Sequence, residues 1–287
     1  MSAPAWPGDA RGALSLSFDN LGEAAEVELG AIGPETDLGN HFTATRVLPS
    51  LLDILDEREL AATFFVEGLN AAIYPDELKE IESRGHELGY HAWRHEQWDD
   101  LSHTEQADNL ARGQGAFREH GLEFTGLRPP GGGLGPSGTD VLREAGLRYC
   151  SPAGDGVGVW GGVALLPFRW RHVDAACVLP PLAPVREQMT GSPDPLGPDA
   201  YLGYLQGELE RLADEGGHMT FVFHLFMLDW LGWERLAALL DGMVVAAKGG
   251  DLWLAPCASV ATHVLAQPDR FGDGAILDPT SWTDTGG

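Results

Sequence analysis

Residues 62–68, ATFFVEG, and residues 85–95, GHELGYHAWRH, with PDELKEIES at 75–83 between them, decide how this chain is read. ATFFV is an aromatic and β-branched run closed by glycine, which reads as a strand. The stretch 75–83 reads as a helix, and ELGYH at 87–91 as a second short strand. Strand, helix and strand in succession are the pattern of an α/β fold.

The same alternation extends in both directions. LSLSFD at 14–19 is apolar and ends in an acid. A helix is predicted over 43–58, with Val47, Leu48, Leu51, Leu52 and Leu55 on one face. A polar helix covers 104–120, and GLRPPGG at 126–132 reads as a strand ending in a rigid turn. Helix 137–145 and strand 147–153 follow. GDGVGVWGG at 154–162 reads as loop, and VALLPFRW at 163–170 as strand. The proline-rich stretch 180–198 is expected as a loop over a barrel mouth. Helix 199–214, strand 218–226, helix 233–248 and strand 252–256 complete the set. No repeat is visible. The expected organisation is one catalytic domain over 1–267 and a polar, frayed tail over 268–287. At 287 residues and 44% hydrophobic content the chain suffices for one β/α barrel, which needs roughly 250 residues.

Charge narrows the partners. There are 43 acidic residues against 18 basic ones, a net charge of −25. Nucleic acid and anionic membranes both need a basic footprint, so neither is expected as a partner, and a small molecule is. Cys150, Cys177 and Cys257 are odd in number and far apart, with no metal or disulfide spacing. The opening MSAPAWPGDARGALSLSF has no basic region followed by an apolar run, and no apolar segment reaches about 18 residues. A cytoplasmic protein is expected.

Several strand-like runs end in a residue capable of chemistry: Asp19, His91, Arg128 and His224. In a β/α barrel that rim carries the active site. His91 and His95 stand four apart, a spacing that lets two imidazoles bind one divalent cation. Two unrelated surface histidines would leave the same trace. Asp19 and Asn20 end the first strand, where a carboxylate could activate water or bind metal, or merely finish a strand. Arg128 in RPPGG could orient a carboxylate, and the Gly131 N–H could face an oxyanion. The plain alternative is an ordinary loop. His224, inside FVFHLF, reads by itself as a core histidine sooner than as a catalyst.

Taken in order, SFDN, ATFFVEG, ELGYHAWRHEQWDDLS, GLRPPGG, PFRWRHVDA and FVFHLF resemble the polysaccharide deacetylase family, carbohydrate esterase family 4, over about residues 14–257. HAWRH resembles the family's H-[S/T]-x-x-H metal motif, with Ala92 departing at the second place. The resemblance implies a distorted (β/α)7–8 TIM-like barrel and a metal-dependent amide hydrolase. It implies Asp19 as catalytic base, Arg128 as the residue holding that base, and His224 as general acid. It implies one divalent ion, zinc first and Co²⁺, Ni²⁺ or Mn²⁺ as substitutes, on His91, His95 and the residue at 20. The family has an aspartate there and this chain has Asn20. Asn20 is expected still to ligate, with Glu23 or Glu26 as replacements, and Asn20→Asp is expected to tighten the metal. Gly131, Trp93, Trp170, Asp174 and Phe226 are the expected substrate contacts. The insertion at 21–42 is expected over the mouth.

The function expected is an N-deacetylase of an intracellular acetamido compound, an amino sugar or a specialised metabolite. The alternatives are a cyclic amide hydrolase like the allantoinase branch and a degenerate, non-catalytic binding protein.

Overall fold

The strand expected at 14–19 begins two residues earlier and is buried along its whole length, as a strand covered on both faces should be. The computed structural model describes residues 6–33 and 35–278. In chain order the strands are β1 (Gly12–Asp19), β2 (Thr63–Val66), β3 (Glu87–Tyr90), β4 (Gly126–Leu127), β5 (Tyr149–Cys150), β6 (Gly154–Asp155), β7 (Gly158–Trp160), β8 (Val163–Leu165), β9 (Gly217–His224), β10 (Leu252–Leu254) and β11 (Ile276–Leu277). The helices are α1 (Ala24–Glu28), α2 (Leu48–Asp56), α3 (Gly68–Ile73), α4 (Pro75–Ser83), α5 (His103–Glu119), α6 (Asp140–Glu144), α7 (Ala183–Thr190), α8 (Pro198–Glu215), α9 (Leu228–Leu231), α10 (Trp233–Lys248), α11 (Cys257–Leu265) and α12 (Pro268–Phe271).

Alternation along β1 sorts its two faces. Leu14, Leu16 and Phe18 join the main apolar core. Ser15, Ser17 and Asp19 take the other face, inside the curl of the sheet, where Ser17 bonds the Phe221 carbonyl and Asp19 meets Arg128. β9 runs parallel to β1 over its full length and sets Asp19 level with His224. The far edge of β1 is shared: β10 pairs with Gly12 to Leu14, and β2 with Ser17 to Asp19. From β2 the sheet continues in parallel through β3, β4, β5 and β8. It curls into an incomplete barrel, and a single parallel bridge from Val173 to Val222 links the segment after β8 back to β9. All the parallel strands therefore end on one rim, the distorted barrel that the sequence led us to expect.

The helix expected at 43–58 is a π-helical turn, Thr43–Val47, running into α2, and its apolar face is buried as read. α4 and α10 have the expected limits. α5 opens on a capping box in which Ser102 and Glu105 bond each other's backbone N–H.

Three stretches differ. The expected loop 154–162 contains β6 and β7. Gly161 and Gly162, both at positive φ, turn β7 back onto β8 as an antiparallel hairpin. The expected loop 180–198 contains α7, where buried Arg186 donates to the Ala176, Leu179 and Pro193 carbonyls and ties the helix down. The expected frayed tail is structured as far as Asp278: Phe271 packs 5.3 Å from Trp6, and β11 pairs with β6. Residues 279–287 of that tail lie outside the described residues. Among the described residues no helix is long and apolar enough to cross a membrane.

Candidate active site

Asp19 closes β1, His91 follows β3, Arg128 follows β4 and His224 closes β9. Parallel pairing brings these ends to one rim, and all four line a single cavity of about 50 Å³. His95, Gly131, Phe168, Trp170 and Val222 also line it.

Arg128 is buried at the heart of the site. Its Nη1 donates to Asp19 Oδ1 at 2.7 Å and to Ser17 Oγ at 2.8 Å, and its Nη2 donates to Ser151 Oγ at 3.1 Å. The guanidinium lies over the Phe65 ring, 4.1 Å from its centre. Asp19 is thus held in an ion pair beneath the cavity. A buried pair of this kind orients its members even where its net contribution to stability is small.

Across the β1–β9 edge, His224 Nδ1 donates to Asp174 Oδ1 at 2.6 Å, and the His224 backbone N–H donates to Asp174 Oδ2 at 2.8 Å. Burial lowers the basicity of His224, but the charge and hydrogen bond of Asp174 outweigh it and raise the pKa above the ordinary value. Asp174 opens a 3-10 turn, Asp174–Cys177, and the residue two before it, His172, is pinned at 2.6 Å to Glu208 of α8.

The loop after β3 turns through left-handed backbone at Ala92 and His95, with φ of 61° and 75°. It is docked on the start of α3, where Gly68 and Leu69 donate to the Ala92 and Trp93 carbonyls. The turn brings the His91 and His95 rings to 4.8 Å, nearly perpendicular. His91 Nδ1 donates to the Arg128 carbonyl at 2.7 Å, so its lone pair resides on Nε2. Burial pushes His91 down to about 3, and burial with the neighbouring His91 pushes His95 down to about 3. Both imidazoles are neutral at physiological pH, the state in which imidazole binds metal.

Two neutral imidazoles, one of them oriented by a carbonyl, suit a borderline-soft divalent cation such as zinc. Among the described residues no three His, Cys, Asp or Glu side chains gather to hold an ion. Asn20, the oxygen ligand expected beside the two imidazoles, is buried and is not among the residues lining the cavity. It sits at φ 60° just after Asp19, and its Nδ2 donates to Glu67 Oε1 at 2.7 Å. Glu67, at the end of β2, is fully buried, and burial pushes it up to about 8. The sequence reading missed Glu67. The available signal was an acid closing an otherwise apolar strand.

Four expectations need correction. Trp93 does not line the cavity: its ring fills the space beside Gly68 and carries the Arg112 guanidinium at 3.7 Å. Asp174 is wholly buried and serves His224 rather than a substrate. Glu23 is engaged elsewhere, accepting from Tyr74 Oη and from the Gly39 N–H. Glu26 pairs with His41 at 3.5 Å. The insertion 21–42 reaches the rim at one point, where Glu28 pairs with Arg94 at 2.9 Å.

Trp170 and Gly131 line the cavity as expected. Gly131 stands at φ 78°, its Cβ position filled by Gln97, and among the described residues nothing accepts from its N–H. Phe226 is 40% exposed at the rim, 5.2 Å from the His224 ring.

Residues 31–150 match the polysaccharide deacetylase family model. The chain is 33% identical over 105 residues to peptidoglycan-N-acetylglucosamine deacetylase PgdA of Listeria monocytogenes, covering 36% of this chain and 22% of that one. It spans less than half the length of the curated relatives it matches. Among solved structures, a Mycobacterium smegmatis protein described as a polysaccharide deacetylase superposes with a TM-score of 0.78 at 25% identity, over 98% of both chains. Puue allantoinase shares the fold with a TM-score of 0.71 at 18% identity, over 93% of this chain and 95% of that one.

Proposed function

We propose that the chain, whose residues 31–150 match the polysaccharide deacetylase family model, is a metal-dependent N-deacetylase acting on a small acetamido compound, an amino sugar or a specialised metabolite. The observation that carries the reading is the convergence of the Asp19–Arg128 ion pair, the His224–Asp174 pair and two neutral imidazoles on one cavity. The three cysteines are buried and free, which supports a reducing compartment such as the cytoplasm.

His91, His95 and the amide oxygen of Asn20 would hold the cation. When bound, it would polarise the acetamido carbonyl and acidify the attacking water. Asp19, fixed by Arg128, accepts a proton from that water as its oxygen attacks the carbonyl carbon. The Gly131 N–H donates to the oxyanion that forms. His224 then gives its proton to the leaving nitrogen as the C–N bond breaks, releasing acetate and a free amine. Asp174 keeps His224 protonated for that step.

The second reading is ring opening of a cyclic amide by the same groups. The end-to-end fold likeness to Puue allantoinase favours it. One experiment separates the two. The zinc-loaded protein is given a panel of N-acetylated amines and cyclic ureides, and acetate and ring-opened products are measured. Acetate release supports the first reading and ring opening alone the second. Turnover of neither class, with zinc bound, would point to a non-catalytic binding protein.

A further inference from the structure

The geometry points to Glu67 as a positioning residue that, one hydrogen bond behind Asn20, holds the Asn20 amide nitrogen and so turns its amide oxygen toward the cation. This rests on the metal-dependent reading above.

Glu67 is wholly buried, and no Lys, Arg or His pairs with it among the described residues. Its two oxygens are divided between two amides: Oε1 accepts from Asn20 Nδ2 at 2.7 Å and Oε2 from Asn70 Nδ2 at 2.8 Å. Asn70 Oδ1 accepts in turn from the Ala24 N–H at 3.1 Å, so the chain of bonds ties the ends of β1 and β2 together. Both Glu67 oxygens thus accept an amide N–H. An amide offers nitrogen at one end and oxygen at the other. With the Asn20 nitrogen committed to Glu67, its oxygen is the end left for a cation.

Asn20 and Glu67 are then a matched pair, and the sequence-based expectation that Asn20→Asp tightens the metal is reversed. Aspartate at 20 would meet Glu67 carboxylate to carboxylate at 2.7 Å, where both cannot ionise. Glu67→Gln would set an amide against an amide. Glutamine keeps only one acceptor, so either Asn20 or Asn70 loses the oxygen that now receives its N–H. The exchange Asn20→Asp with Glu67→Gln restores complementarity and puts a carboxylate at position 20.

The test is a double-mutant cycle on the full-length protein. Zinc affinity is measured by chelator competition, with the melting temperature of the metal-free protein alongside. Glu67→Gln should weaken zinc by about 10–100-fold, the usual cost of losing an outer-shell partner. Asn20→Asp alone should not tighten it and should lower the melting temperature. The double variant should recover wild-type affinity or better, and should be folded even where a single variant is not. Unchanged affinity in Glu67→Gln, tighter binding in Asn20→Asp alone, or a folded double variant without zinc affinity would each overturn the pairing while leaving the metal reading intact. Wild-type affinity no better than that of the His91→Ala, His95→Ala variant would overturn both.

Discussion

The cavity has two sides built on different physical terms. On one side Asp19 and His224 are each locked to a partner of opposite charge, Arg128 at 2.7 Å and Asp174 at 2.6 Å. On the other, His91 and His95 are neutral, and Asn20 is committed through its nitrogen to the buried Glu67. The acid–base side is complete by itself, because its charges are already compensated. The cation side is assembled from weaker, uncharged donors, so its strength depends on residues that never touch the ion. A change to a partner should therefore move pH dependence on the first side and metal affinity on the second.

The largest expected effect is that of Asp19→Asn, which removes the base and leaves Arg128 buried without its counter-ion. Activity should fall by about 10⁴-fold, the upper end for a lost general base, while zinc content holds. Loss of zinc along with activity would show that the two sides are not separable.

His224→Ala should cost about 10³-fold on substrates with poor leaving amines, and less where the amine leaves without protonation. Full activity on a poor leaving group would return His224 to the status of a core histidine.

Asp174→Asn keeps the shape of the acid and removes the charge that raises its pKa. The rate should fall about tenfold near neutral pH. Its alkaline limb should move to lower pH, because His224 must be protonated to act. The linkage has a definite sign. With its folded pKa raised, protonated His224 adds stability below its unfolded pKa of about 6.5, and that contribution is lost as pH rises through the folded value. In Asp174→Asn this pH dependence of the melting temperature should shrink. An unmoved alkaline limb would mean that another group is the acid.

Phe226→Ala should have the smallest effect, a change of about threefold or less, in KM rather than kcat, since the ring borders the cavity and leaves the reacting groups untouched. A large drop in kcat would place Phe226 in the positioning of His224.

Much of this was legible from local sequence. Alternation and helical periodicity located β1, β2, β3, β9, α4 and α10, and four chemically capable residues stood at the ends of strand-like runs. Their meeting on one rim follows from parallel strands, which align C-terminal ends whatever the loops between them do. The turn 161–162 was misread because Gly-Gly marks a tight hairpin as well as a loose loop, and α7 because proline at a helix start resembles proline in a loop.

What the chain determined by itself was the type of each element and the identity of the groups on the rim, since those depend on neighbours a few residues away. The Arg128–Asp19 pair, 109 positions apart, was implied by the family resemblance, but the partner of Asn20 was decided only in three dimensions, where it meets Glu67 across 47 positions. Trp93 and Trp170 are the same residue type near the same site, yet one is packed beneath Arg112 and the other lines the cavity. Burial and hydrogen-bond satisfaction act over space rather than along the sequence, so they separate residues that local pattern treats alike.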